Sequence, residues 1–443
     1  MSNFGYGSGS RPRAPVGSFP LIAFAGDSVT AVTIQPNTAT LKANGNRGAS
    51  FWVPTLTKQR VRTRQDLNFG VGGDTTTLLR ARIGAVAACD ADYVVVHIGT
   101  NDVIFGASEA TFSTFKANLE AIWDALLNAG KVVIAIPPLV RADPLGAGGR
   151  PMVWRMTEWV REQQWTGRRN FYVVDPNPLF ADFNSAAGGA LPGYTFDDLH
   201  PRAAGAVMFS RPIADLLLGL LPAQNDSVVT SVADTYNAAN NPTGNLFANV
   251  GFTGTGGAFI NNSATVTGTM PDTWRSDLVV SGGSVASLTI AHSAPAAGPD
   301  GRPRRQIVFG GNYVGSADTV LVFRQIMTNY TDFQVGDRVV CEAEYETDAA
   351  AGPQCIAAIY AHVAMTMGGT SFVARDGHAN TVADQLPAVA QDGILRTPPM
   401  LVTAQPTAVQ AGFNIQLHQN GASVVNAAST VRIKGMSFRK VIA

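Results

Sequence analysis

From Phe19 to about Pro222, continuous apolar runs alternate with segments of helical spacing. The runs are LIAFAGDS, DLNFGVGG, DYVVVHIGTND, KVVIAIPPLV and NFYVVDPNPLF. Their apolar residues follow one another instead of alternating with polar ones, as in strands buried on both faces. Strands of that kind separated by helices point to βαβ units and a parallel sheet. Between them, Thr75–Ala88 and Ser108–Ala129 carry helical periodicity, the second through Phe112, Phe115, Leu119, Ile122 and Leu126. A last helix is predicted from about Arg202 to Leu221, stopped by Pro222.

Past Pro222 the pattern changes. Residues 223–244 are rich in Asn, Ala, Thr and Ser without a period and read as a linker. Residues 245–443 carry short β-branched runs set off by Gly, Asn, Asp and Pro. Val339, Cys341, Ala343 and Tyr345 alternate with period two, so an antiparallel β-sandwich is expected. Residues 1–18, rich in Gly, Ser, Pro and Arg, read as a flexible arm. The α/β half, 19–222, has its own strands and closing helix and could fold alone if cut near Ala223, at the cost of any interdomain contact through Trp154 or Trp165.

A chain of 443 residues exceeds what one core usually supports, which agrees with two domains. Its 32 basic residues balance 32 acidic ones, so no net field favours nucleic acid or an anionic membrane. Cys89, Cys341 and Cys355 are too few and too scattered for a disulfide framework or a zinc site, and Cys341 and Cys355 read as buried thiols. The N-terminus lacks the apolar segment of a signal peptide, and no run of about 18 apolar residues is present to span a membrane. The expectation is a soluble protein made in the cytoplasm that reaches any extracellular site by lysis or in a phage particle. A homo-oligomer is compatible with this reading.

Four short segments carry candidate chemistry. Ser28 follows a strand in LIAFAGDSVT, at the carboxyl edge where α/β proteins place active sites. In TFDDLHP, Asp197 precedes His200 by three residues, so one turn can hold a carboxylate against the imidazole and fix its tautomer. GVGGDT and GTND end two further strands on the same edge. There Gly73 can offer a backbone N–H and Asn101 a side-chain amide to an oxyanion that also meets the N–H of Ser28. Taken singly, Gly73 would only make a turn and Asn101 only cap a helix.

GDSVT, GVGGDT, GTND and DDLHP stand in the order and with the spacing of the four motif blocks of the SGNH (GDSL) hydrolases, which residues 19 to about 222 therefore resemble. The resemblance implies a flavodoxin-like three-layer α/β fold and a Ser-His-Asp acyl-enzyme mechanism with no metal or cofactor. It implies Ser28 as nucleophile, Asp197 and His200 as the other triad members, and Ser28, Gly73 and Asn101 as the oxyanion hole. Val29 takes the fourth place of the first block, and Asp198 stands where Gly is common. Two carboxylates are thus available to orient His200, and the three-residue spacing favours Asp197.

His97, inside the third strand, is expected to be a hydrogen-bonded core residue. His292, His362, His378 and His418 lack metal-ligand spacing. In PMVWRMTEWVREQQW, Trp154 and Trp165 fall on the helix face opposite Met152, Met156 and Trp159, where they either meet substrate or another domain or pack on the protein body. The C-terminal half resembles jelly-roll modules found beside glycan-active domains and in phage tail proteins, through segments such as NLFANVGFTGTGG and VRIKGMSFRKV. A sandwich beside an esterase makes sense if it holds a polymer, so an O-acetylated polysaccharide is the favoured substrate. The alternatives are a carboxylesterase or thioesterase for small or lipidic esters with a structural sandwich, and a non-enzymatic glycan-binding adhesin.

Overall fold

The five apolar runs form five parallel strands: β1 (Ile22–Gly26), β2 (Asn68–Gly70), β3 (Tyr93–His97), β4 (Val132–Ile136) and β5 (Phe171–Val173). They are seen in a computed structural model that describes residues 19–31, 34–35, 43–142, 149–185, 188–222, 233–260, 266–281, 284–294, 296–297, 303–314, 318–350, 354–379, 384–417 and 429–441. The expected arm, 1–18, the first part of the expected linker and His418 lie outside these residues. The sheet order is β2-β1-β3-β4-β5, all pairs parallel. The winding reverses at β1, and the carboxyl ends of β1 and β3 at such a switch point are the usual ligand position in sheets of this kind.

Both sheet faces are covered, as continuous apolar strands require. Ala23, Ala25, Val94, Val96, Val133 and Ala135 pack under α3 (Thr76–Ala88), α4 (Glu109–Asn128) and α5 (Gly149–Glu162). Ile22, Phe24, Val95, Ile134 and Ile136 face α2 (Ala49–Leu56), α6 (Asn177–Phe180) and α7 (Ala203–Leu220). The result is a three-layer α/β domain.

Among the described residues the second half contains two large sheets, besides a two-stranded pairing of Ala296–Ala297 with Pro303–Arg304. One has the order β14-β13-β17-β11-β8-β6, where β6 is Ala258–Ile260, β8 Arg275–Ser281, β11 Asp318–Met327, β13 Ile356–Met367, β14 Thr370–Arg375 and β17 Pro406–Leu417. The other runs β15-β12-β18-β10-β9-β7, with β7 Val266–Gly268, β9 Ser284–His292, β10 Ile307–Val314, β12 Arg338–Thr347, β15 Gln391–Arg396 and β18 Ser429–Val441; β16 (Met400–Leu401) pairs with β12. Phe323 and Phe413 of the first sheet meet Phe309 of the second, so the sheets share one core. The pairing is antiparallel except at one edge of each sheet, where β6–β8 and β7–β9 run parallel. Cys341 and Cys355 are both buried.

The two halves do not meet as separate bodies. Phe51, Trp52 and Leu56 of α2 and Ala203, Ala206, Val207 and Ala214 of α7 belong to the same core as the sandwich, while other residues of both helices cover the parallel sheet. Helix α7 is long and apolar enough to cross a membrane, but 61% of its apolar window is buried; it is a core helix wedged between two sheets. Polar contacts reinforce the seam. Asn46 Nδ2 donates to Ala357 O (2.8 Å), Gln59 Nε2 to Ile394 O (2.9 Å) and Arg211 Nη2 to Ala390 O (2.6 Å). Lys58 pairs with Asp392 at 2.6 Å. Residues of α2 and α7 that pack against the sandwich would be uncovered in a chain cut near Ala223.

Candidate active site

The site grows from the carboxyl ends of β1, β2 and β3. Ser28 opens the four-residue helix α1 (Ser28–Ala31) directly after β1, held by the Ala31 N–H to the Asp27 carbonyl at 3.0 Å. Asp27 is fully buried. Its Oδ1 accepts the Val29 N–H at 3.0 Å, its Oδ2 has no partner among the described residues, and burial, only partly opposed by that N–H, pushes its carboxyl up to about 7. Below about pH 7 the protonated carboxyl fixes the turn without placing a charge beside Ser28.

His200 comes from a loop ahead of α7. The loop is closed by the Phe196 N–H to the His200 carbonyl (3.0 Å) and the Arg202 N–H to the Tyr194 carbonyl (2.7 Å). Within it Asp197 does two jobs. Its Oδ1 accepts the N–H groups of His200 (2.7 Å) and Leu199 (3.3 Å), and its Oδ2 lies 2.6 Å from His200 Nδ1. Burial raises the Asp197 pKa, but the His200 backbone N–H, the His200 ring and the Leu199 N–H outweigh it and hold the carboxyl below the ordinary carboxylate range. An ionised carboxylate can only accept, so Nδ1 donates to it and in the neutral ring Nε2 is the nitrogen left with a lone pair. Nε2 sits 2.7 Å from Ser28 Oγ. Asp198 adopts φ +64°, a left-handed conformation that Asp tolerates better than most residues. Its side chain is exposed, and the imidazole pairs with Asp197, not Asp198.

The GVGGDT segment forms a turn in which the Asp74 N–H returns to the Val71 carbonyl at 3.2 Å. Gly73 has φ +81°, as a turn with a left-handed third residue requires. A Cβ on Gly72 would stand 3.9 Å from Ser28 Cβ, so this turn lies against the serine. Asn101 Nδ2 donates to the Asp74 carbonyl at 2.9 Å. The next residue, Asp102, accepts the Thr76 N–H at 3.0 Å, and Asn118 Nδ2 bonds Thr76 Oγ1 at 3.1 Å. The strand-end loops are thereby locked together. One N–H of the Asn101 amide supports the turn, and the other is not required for that bond.

The remaining sequence candidates fall elsewhere. His97 is buried, but neither ring nitrogen has a hydrogen-bond partner among the described residues, contrary to the expected hydrogen-bonded role. Its ring packs edge-on against Phe209 at 5.2 Å, and burial lowers its pKa to about 4. Trp154 is partly buried and packs near Phe183, 6.1 Å between rings, whereas Trp165 is 75% exposed on a 3-10 turn after α5. The described contacts join neither tryptophan to Ser28 or His200. Among the described residues no group of three or more His, Cys, Asp or Glu side chains is placed to hold a metal. A cleft of about 470 Å³ between α2, α7 and β12 is lined by Lys58, Arg211, Asp215 and Glu346 among others, and by none of the residues of this site. Sequence reasoning did not single out Phe196. Its ring stacks on His200, 5.5 Å between centroids and 17° from parallel, and only its place four residues before His200 pointed to it.

Residues 24–207 match the GDSL-like Lipase/Acylhydrolase family. No curated protein matches the chain. Three solved structures to which part of the chain is similar are the following. An acetylxylan esterase from Geobacillus stearothermophilus is 22% identical with a TM-score of 0.34, covering 45% of this chain and 94% of its own. A GDSL-like lipase from Bacteroides thetaiotaomicron is 18% identical with a TM-score of 0.35, covering 45% and 89%. An alpha/beta hydrolase from the metagenome of Lake Arreo, Spain, is 19% identical with a TM-score of 0.35, covering 46% and 97%.

Proposed function

We infer, from a chain whose residues 24–207 form a GDSL/SGNH hydrolase domain, a carboxylic ester hydrolase, that Ser28 is the nucleophile, His200 its base and Asp197 the orienter of His200. The observation that carries this reading is the relay from Ser28 Oγ to His200 Nε2 at 2.7 Å and from His200 Nδ1 to Asp197 at 2.6 Å. His200 takes the Ser28 proton as Oγ attacks the ester carbonyl. The tetrahedral oxyanion is received by the N–H groups of Ser28 and Gly73 and the free N–H of the Asn101 amide. The leaving alcohol takes the proton from His200, and water, deprotonated by the same base, then releases the acyl group from Ser28.

The favoured substrate is an O-acetylated polysaccharide. Support comes from the large sandwich fused to the hydrolase, which suits retention of a polymer, and from the exposed indole of Trp165, on which a sugar ring can stack. A second reading, hydrolysis of longer acyl esters, draws on exposed Val71, Leu78 and Ile104, which flank the Gly73 turn and Asn101 in sequence. Acetate release from a panel of acetylated glycans, run beside p-nitrophenyl esters of increasing chain length, separates them. Preference for acetyl and release from glycan supports the first, and rising activity with chain length the second.

A further inference from the structure

The β-sandwich reaches the esterase site through four side chains. Asp384, 0% exposed, lies between β14 and β15. Its carboxylate accepts from Arg47 Nε, at 2.9 Å to Oδ2 and 3.2 Å to Oδ1, and from Nη2 at 3.0 Å to Oδ1, although the two stand 337 positions apart in sequence. Arg47 sits in the turn just before α2 and is itself buried. Its guanidinium lies over the Phe196 ring, 4.6 Å from the centroid, within cation–π range. Phe196, 39% exposed, stacks on the His200 imidazole at the 5.5 Å spacing given above. Arg202, which donates to the Thr195 carbonyl at 3.0 Å and so braces the same loop, is 4.0 Å from Asp384.

We propose that Asp384 is a positioning residue for hydrolysis, fixing the ring plane of His200 through Arg47 and Phe196, so that the sandwich completes the active site of the other domain. This rests on the reading of His200 as the base that serves Ser28. His200 sits in an irregular loop with its side chain 19% exposed. Asp197 and Ser28 restrain the ring nitrogens within the ring plane, but rotation about the line joining them is opposed by what packs on the ring's face. Phe196 is the aromatic ring stacked there, and a partly exposed phenyl group keeps its place only if something pins it. The pin is a planar cation, and the cation is held in a bidentate grip by a carboxylate with no exposure. A bidentate pair fixes the guanidinium plane as well as its position, so orientation is transmitted along the whole series. Proton transfer is steep in geometry, and a misplacement of about 1 Å can cost about a hundredfold.

The test uses the full chain and p-nitrophenyl acetate, with kcat and KM measured separately beside the melting temperature. The double variant R47M/D384L replaces the buried pair with apolar side chains of similar size, an exchange that is often neutral for stability. It should melt like the wild type and keep its KM, while kcat falls about 10- to 100-fold. At the loop surface, F196L should lose kcat to the same degree, and F196Y, which restores a planar ring, should recover the greater part of it. If the double variant does not fold, the comparison of F196L with F196Y decides. A folded double variant with kcat within about twofold of the wild type, a change in KM alone, or equal activities of F196L and F196Y would overturn the proposal. H200A serves as the control: its loss of turnover, with the other variants unaffected, refutes the positioning role alone, whereas an active H200A refutes the underlying Ser28–His200 reading.

Discussion

Asp197→Asn isolates the tautomer of His200 with little other disturbance. Asp197 Oδ1 holds the loop by accepting the N–H groups of His200 and Leu199, and the carbonyl oxygen of an Asn can take over both bonds. What changes is the other atom: an amide N–H then faces His200 Nδ1 where a carboxylate oxygen stands 2.6 Å away. Two donors cannot share that contact, so Nδ1 gives up its proton and Nε2 carries it toward Ser28 Oγ, where a base is needed. The expected loss is about ten-thousand-fold in kcat, roughly 5 kcal/mol of barrier, with KM and melting temperature nearly unchanged. Asp198→Asn is the matched comparison. Its backbone at φ +64° suits Asn as well as Asp, its side chain is exposed, and its activity should stay within about twofold. Steady-state hydrolysis of p-nitrophenyl acetate by both variants gives the ranking. Losses below about tenfold in Asp197→Asn, or a larger loss in Asp198→Asn, would refute the assignment of the orienting carboxylate.

Further outcomes follow from the same structure. Asn101→Ala should lower kcat by about a hundred- to a thousandfold with KM unchanged, since its amide acts on the developing charge; an effect confined to KM would make Asn101 a substrate-binding residue. Burial pushes the Asp27 carboxyl from 3.8 to about 7, so between those values the folded chain keeps a proton that the unfolded chain releases, and stability falls as pH rises through that window. Asp27→Asn keeps an acceptor for the Val29 N–H and removes this dependence. In urea melts at about pH 4 and about pH 8 the variant should gain on the wild type by on the order of a few kcal/mol at the higher pH, and a constant difference would show that Asp27 does not carry this shift. At the seam between the halves, Gly377 has φ +86° and a Cβ there would come 2.1 Å from the Phe51 ring. Gly377→Ala should therefore destabilise the whole chain by about 2 to 4 kcal/mol in a single transition; unfolding in two separate steps would contradict a shared core.

The parallel sheet was legible in the sequence because burial on both faces leaves a strong signal. Tyr93–His97 and Val132–Ile136 are unbroken apolar runs, and each became a strand in the expected position. The candidate site was legible because its residues sit at strand ends or within three positions of one another, where local spacing dictates geometry. The seam was not. The spacing predicts helix α7 as the closing helix of the α/β half, but its second apolar face, through Ala206, Val207 and Ala214, only acquires meaning when the sandwich packs on it. The Arg47–Asp384 pair leaves no local signal, since nothing in the sequence couples positions so far apart in the chain. The pairing of β6 with β8 and of β7 with β9 is parallel for a similar reason: alternation marks which face a residue takes, not which way its neighbour runs.

The central claim is that Ser28 forms the covalent acyl intermediate. Reaction of the full chain with a fluorophosphonate ester, followed by intact-mass and peptide analysis, tests it directly. One phosphonyl group per chain on the peptide containing Ser28, with complete loss of p-nitrophenyl acetate hydrolysis and no labelling of the Ser28→Ala variant, is the predicted result. Labelling at another residue, or a Ser28→Ala chain that is still labelled and still turns over the ester, would contradict it.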